Sequence, residues 1–197
     1  MDVTIEKNLR VPMRDGIELV TDVYRPAGAE QCPVILIRTP YNKDGMAGGD
    51  DSFNTLLTVQ HGYAVVVQDC RGTGASPGEF APFVNEASDG ADALAWVVAE
   101  PWCSGEVGMA GASYFGMTQW LAASESPQVV KAIVPVFSSP RAHDGWAYQG
   151  GAFHLNFSLF WFAGLIAPTQ VVRGMRQGTA DPAERGALFA ALNKIDE

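Results

Sequence analysis

Residues 108–120 read GMAGASYFGMTQW and set Ser113 among small neighbours: Gly111 two before it, Ala112 beside it and Gly116 three after it. A serine hydroxyl is a poor nucleophile at neutral pH. To attack a carbonyl it needs a base that takes its proton and donors that stabilise the resulting oxyanion. A tight turn from a buried strand into a helix supplies part of this. It strains the backbone, lifts Oγ above the C-terminal edge of a sheet, and aims the next N–H, at the helix N-terminus, at a developing oxyanion. Strand and helix pack closely there, hence the small residues. The spacing departs from G-x-S-x-G, because Phe115 stands where the second glycine would be. The alternative for Ser113 is an ordinary helix N-cap after Gly-Ala.

Three histidines are candidates for the base: His61, His143 and His154. His61 precedes the apolar run at 63–69, at the start of that strand and about 20 Å from the edge where the serine would sit. It reads as the end of a helix. His143 and His154 follow the last strand pattern and fall on the correct side, but neither directly follows a strand. A second glycine cluster, GTGAS at 72–76, follows the 63–69 run. A dinucleotide fingerprint there needs glycine at 77, which is Pro77, and no clean helix start follows. Phosphate binding is therefore a poor fit, and the segment reads as a structural loop. Asp69 and Arg71 beside it are expected to form an ion pair that fixes the loop.

The elements that position these residues follow from hydrophobic period. Residues 3–11 and 17–24 read as two strands of a hairpin turned at Arg14-Asp15-Gly16, with Ile17, Leu19 and Val23 alternating with Glu18 and Asp22. Apolar runs at 33–38, 63–69 and 129–137 are expected to be buried strands, with a shorter strand at 106–110. Helical spacing covers 52–60, closed by Gly62, then 85–99, stopped by Pro101, and 113–124. Beyond the hairpin, strands alternate with helices, which argues for α/β layering on a largely parallel sheet of six strands. After Phe137 the character changes. Residues 138–151 read as a loop, and helices are expected at 152–166 and 182–194, the latter capped by Asp181 with Pro182 at its first position. The apolar stretch 151–167 is shorter than about 18 residues and contains His154, Asn156 and Ser158. A buried helix is expected there rather than a membrane span.

A hydrophobic content of 47% in 197 residues is enough for a core and excludes disorder. A net charge of −9 disfavours nucleic-acid backbones. The three cysteines, Cys32, Cys70 and Cys103, form no CxxC pair, so neither a disulfide framework nor a zinc site is expected. Residues 1–16 contain no apolar leader segment, and a cytoplasmic location is the expectation.

Five segments together resemble the CocE/NonD group of serine hydrolases, the cocaine-esterase and X-Pro dipeptidyl-peptidase group of α/β-hydrolases. They are VPMRDGIELVTDVYRP (11–26), TPYNK (39–43), GYAVVVQDCRGTGASPGEF (62–80), PWCSGEVGMAGASYFGMTQW (101–120) and KAIVPV (131–136). The resemblance spans roughly residues 10–165. GxSYxG, with glycine at the third position after serine, is that family's own form of the turn. The resemblance implies Ser113 as acylated nucleophile, the N–H of Tyr114 and the hydroxyl of Tyr41 as oxyanion donors, and Trp146 and Trp161 as substrate-binding walls. For Trp161, plain core packing is an equal alternative.

The resemblance also implies a partial α/β-hydrolase domain at 1–137 and the start of a helical cap at 138–197. The family's acid and histidine follow the seventh and eighth strands, so they are expected beyond residue 197, and the 197-residue chain alone is expected to be nearly inactive. No metal or organic cofactor is implied. The expected substrate is a small ester, an amide or a peptide, with neither nucleic acid nor membrane as a partner. A sixth strand left as an apolar edge is expected to aggregate or to pair with another chain, as in a homo-oligomer. The competing reading is a catalytically inactive fragment or binding module that pairs through that edge.

Overall fold

The computed structural model describes residues 2–46 and 53–179, together with residues 181, 183, 186, 187 and 190. The chain divides into two compact units, residues 1–142 and 143–197.

The first unit is built on one sheet. β1 (Val3–Pro12) and β2 (Glu18–Pro26) form the antiparallel hairpin, with Val11 opposite Leu19 and Gly16 at φ 84 in the turn. β2 runs antiparallel to β4 (Ala64–Asp69), which is parallel to β3 (Cys32–Thr39). β5 (Cys103–Ala112) lies parallel on the other side of β3, and β6 (Val130–Val136) parallel beyond β5. The order is therefore β1-β2-β4-β3-β5-β6. All six residues of β4 are buried, which is why Ala64–Val67 are continuously apolar rather than alternating, and why Gln68 and Asp69 at its end carry hydrogen-bond partners.

Alternate residues of the strands feed two faces. On one, Val34, Leu36, Val66 and Met109 pack with Leu94 and Val97 of α2 (Glu86–Ala99) and Ala122 of α3 (Tyr114–Glu125). On the other, Ile37, Val65 and Val67 pack with Val59 of α1 (Thr55–Gln60). Each of these side chains is at most 1% exposed, so cutting Leu94 or Leu36 to alanine is expected to cost about 2–5 kcal/mol.

Two strands differ from expectation. β5 begins at Cys103, not at 106, because Cys103 pairs with Cys32; Gly105 at φ 84 and a register shift break the periodicity there. β6 is not buried on both faces. Among the described strands it has a partner only in β5, and Val134 is 56% exposed.

In the second unit, β7 (Tyr148–Gln149) and β8 (Ala152–Phe153) form a small hairpin across Gly150 and Gly151, both at positive φ, where a loop and a helix start were expected. The helix begins later and runs further. α4 (Leu155–Leu159) passes through a π-helical stretch (Phe160–Ile166) into α5 (Ala167–Gln177), ended by Gly178 at φ 69. The π stretch ends where the N–H of Ala167 reaches the carbonyl of Phe162, and Pro168, which lacks an N–H, falls in the first turn of α5, where proline is tolerated. The helix is also not buried as expected. Trp161 and Ile166 are buried, while Leu155, Phe160 and Phe162 are more than half exposed. By length and composition alone Leu155–Gln177 could cross a membrane, with only 11% of its apolar window buried. The helix expected at 182–194 lies outside the described residues. Its expected cap, Asp181, accepts the N–H of Ala183 at 2.8 Å.

Candidate active site

Ser113 is the single residue between the end of β5 and the start of α3. Its backbone is at φ 56, ψ −121. Its N–H donates to the carbonyl of Val136 at 2.8 Å, which ties the turn to the end of β6, and its carbonyl accepts from Gly116 and Met117. The flanking glycines have separate causes. Gly111 stands at φ 132, and a Cβ there would lie 2.7 Å from the Cβ of Phe115. A Cβ on Gly116 would overlap the side chain of Ser138 and press on Pro135. The close approach to the end of β6 thus falls three residues after the serine. Phe115 at the second position is instead buried with Tyr24, Ile37 and Val67. The departure from G-x-S-x-G follows from which way α3 leaves the strand.

The residue after the serine is anchored from below. The Tyr114 side chain is fully buried; its hydroxyl donates to Glu86 Oε1 at 2.9 Å and accepts the N–H of Phe83 at 3.0 Å. Burial first, and then the Glu86 carboxylate, push the phenol well above its usual range, so it remains an O–H donor. Arg38 Nη1 donates to Glu86 Oε2 at 2.6 Å, and Arg38 Nε to Gln68 Oε1 at 2.9 Å. Burial opposes the charge of Arg38, while Glu86 and Asp89 hold it protonated. The N–H of Tyr114 lies in the first turn of α3, where helix geometry provides no intrahelical acceptor.

Tyr41 follows β3 on a loop that continues into a 3₁₀ turn (Lys43–Met46). Its ring packs edge-on against Tyr114 and Phe115, with centroids 6.4 Å and 5.6 Å away. The loop is tied at Lys43. The N–H of Lys43 donates to Asp69 Oδ1 at 2.7 Å, and its buried ammonium meets Asp22 at 2.9 Å and Asn8 Oδ1 at 2.8 Å. Asp69 Oδ2 accepts the N–H of Ala75 at 2.9 Å. Burial pushes the Asp69 carboxyl up to about 6, against the pull of those two amides and of the Lys43 ammonium. The expected Asp69–Arg71 pair is not what fixes this loop. Asp69 faces the amides, and Arg71 turns to Asp89 at 2.6 Å and Asp15 at 2.7 Å.

Residues 15–193 match the family model of the X-Pro dipeptidyl-peptidases (S15 family). The chain belongs to this family. It is 41% identical over 194 residues to cocaine esterase from Rhodococcus sp. (strain MB1 Bresler), covering 98% of this chain and 34% of that protein. Among solved structures it is similar to a CocE/NonD family hydrolase from Staphylococcus aureus, with TM-score 0.76, 25% identity, and coverage of 94% of this chain and 36% of the other. An α-amino acid ester hydrolase gives TM-score 0.68 at 29% identity, covering 84% and 30%. The fold is that of the α/β-hydrolases of this family, and the chain spans about a third of the length of these relatives.

Among the residues that the family resemblance singled out, the first unit gathers Ser113, Tyr114 and Tyr41 at the C-terminal ends of β3 and β5. Trp146 and Trp161 lie in the second unit, both buried, with their rings edge to face at 5.8 Å. His61 caps α1, its Nδ1 2.8 Å from the carbonyl of Leu57, and precedes β4 at the end of the sheet opposite Ser113. In the second unit, His143 stacks on Tyr148 beside Asp144, and His154 Nε2 lies 2.9 Å from Gln149 Oε1. The sequence reading missed Arg38, Glu86 and Lys43. The available signal was a charge closing an apolar run in PVILIR and an acid opening the helix at Glu86.

Proposed function

We propose that Ser113 is the nucleophile of a serine hydrolase that cleaves ester or amide bonds, X-Pro-type peptide bonds among them, through an acyl-enzyme. The observation that carries this reading is the positive φ of Ser113 at the junction of a parallel strand and a helix, which sets the side chain at the sheet's C-terminal edge. In this reading Ser113 Oγ adds to the carbonyl carbon. The Tyr114 N–H and the Tyr41 hydroxyl donate to the oxyanion, the alcohol or amine leaves, and water releases the acyl group. The histidine base and its acid are proposed to come from segments of the protein beyond residue 197.

The test uses the protein that carries this chain, assayed with p-nitrophenyl esters and X-Pro-p-nitroanilides. Ser113→Ala is expected to lower turnover by about 10⁴–10⁶-fold. Tyr41→Phe is expected to lower kcat by about 10²–10³-fold with little change in KM. The 197-residue chain alone is expected to label weakly with a fluorophosphonate. Strong labelling that Ser113→Ala removes would refute the external base and point to His143 or His154.

A second reading is favoured by β6, which has one strand partner among the described residues, with Val134 and Phe137 exposed. It makes the unit a module that pairs through this edge. A monodisperse monomer in light scattering counts against it.

A further inference from the structure

We propose that Asp69 is a positioning residue for the Tyr41 hydroxyl: its carboxylate fixes the loop that carries Tyr41, and so sets the second oxyanion donor beside the Ser113 turn. This rests on the reading of Tyr41 as an oxyanion donor.

Thr39 and Asp69 are register partners at the C-terminal ends of β3 and β4, and the N–H of Cys70 donates to the carbonyl of Thr39 at 2.8 Å. Two loops leave the sheet from this point, one with Tyr41 and one with Gly72–Ser76. The Asp69 carboxylate clasps both, one oxygen on the N–H of Lys43 and the other on the N–H of Ala75. Gly74, at φ 50, lies so close that a Cβ would overlap the carboxylate. The second loop is itself fastened down: Ser76 Oγ donates to the carbonyl of Asp69 and accepts the N–H of Val20, each at 2.8 Å. The clasp therefore transmits a fixed position from the sheet to the loop of Tyr41.

Tyr41 is held on one side by its N–H, which donates to Thr39 Oγ1 at 3.0 Å, and its half-buried ring meets Tyr114 and Phe115 edge-on; the clasp fixes the loop on its other side. The clasped amide is two residues away, across Asn42 at φ 77, so a slip at Lys43 carries directly to Tyr41. Oxyanion donors must hold their geometry to about 0.5 Å. A misplacement of about 1 Å costs on the order of a hundredfold in rate.

A carboxylate suits this task because two N–H donors converge on its two oxygens, whereas an amide offers one acceptor oxygen. The charged groups facing it are Lys43 and Asp44 on the loop, backed by Asp22 of β2 and Lys7 of β1. On the far side Cys70 leads to Glu86 and Arg38. Burial holds the Asp69 carboxyl up to about 6, so it gains a proton and gives up one acceptor position as the pH falls through that value.

The first test is a cycle of Asp69→Asn, Tyr41→Phe and the double variant in the protein that carries this chain, with kcat and KM measured on an activated ester. Asp69→Asn is expected to lower kcat by about 10–100-fold, with KM nearly unchanged, and to have almost no further effect in the Tyr41→Phe background. An equal loss in both backgrounds refutes the positioning role while leaving Tyr41 as a donor. A Tyr41→Phe protein with full kcat refutes the donor reading itself, and the inference with it. The second test needs no catalytic readout: amide hydrogen exchange at Lys43 and Ala75 in the same protein, wild type against Asp69→Asn at one pH. Protection at one of the two amides is expected to fall by about tenfold in Asp69→Asn, because the amide side chain keeps a single acceptor oxygen. Unchanged protection at both amides overturns the clasp.

Discussion

Replacing Glu86 by glutamine removes one charge and one acceptor from the buried cluster beneath Tyr114. The side chains of Arg38 and Glu86 are 0% and 3% exposed. Two donors point at the Glu86 carboxylate, the Tyr114 hydroxyl at 2.9 Å and Arg38 Nη1 at 2.6 Å. A glutamine amide has one acceptor oxygen, so whichever way it turns, its NH₂ faces one of these donors. Rotating the Tyr114 hydroxyl does not help, because its oxygen already accepts the N–H of Phe83. Among the described residues Arg38 then keeps as charge partner Asp89 alone, 3.8 Å from Nη2 and already engaged by Arg71. Breaking a buried pair costs about 3–5 kcal/mol, and the remaining attraction of Asp89 places the expectation at the lower end, about 3 kcal/mol. With a urea m-value of about 2 kcal/mol/M, the midpoint should drop by about 1.5 M. Arg14→Ala, which removes solvent-facing ion pairs with Asp92 and Glu125, is the control and should move the midpoint far less. Equal midpoint shifts for the two variants would refute the account of the cluster.

Asp69 gives a stability prediction whose sign is fixed by its raised pKa. Between about 4 and 6 the folded state holds the proton and the unfolded state has lost it. Stability is therefore full below about pH 4 and falls as pH rises to about 6, by about 3 kcal/mol relative to Asp69→Asn, and is level above; urea titrations at pH 4, 5, 6 and 7 that show the opposite slope would refute it. Gly116→Ala forces a Cβ into Ser138 and Pro135, and a loss of about 1–3 kcal/mol, or roughly 3–10 °C in Tm, is expected by scanning calorimetry; an unchanged Tm contradicts the close approach. Ser113→Gly should melt higher than Ser113→Ala, by about 1 kcal/mol, because glycine accepts φ 56 and alanine does not; an alanine variant of equal stability argues against the turn as described.

Ser113 and the N–H after it were legible as candidates because they sit in a short local pattern, a strand end followed by a helix start; Tyr41 was singled out only by the family resemblance, since on its own it reads as a loop tyrosine. The cluster beneath them was not legible. Glu86 stands 48 residues after Arg38 and 28 before Tyr114, and nothing local says that β3, α2 and α3 bring them together. Asp69 and Arg71 are near neighbours in sequence, and proximity suggested a pair. The backbone amides of Lys43 and Ala75 compete for Asp69 and win, which side-chain chemistry alone does not reveal. Composition likewise showed that residues 151–167 are apolar, but burial depends on what covers them. Hydrophobic runs located β6 well, yet its place at the end of the sheet, not its sequence, decides that it is half-exposed.

The strand order also governs how the molecule is assembled during synthesis. β3 sits between β4 and β5, and its partner Cys103 is made 71 residues after Cys32. At about 5–20 residues per second, one side of β3 waits roughly 4–14 seconds on the ribosome before β5 can cover it. During that interval PVILIR presents an open, apolar strand edge to any neighbouring nascent chain. Yield on expression should therefore depend on translation rate and on chaperones that hold extended apolar segments, even in variants whose final stability is unchanged.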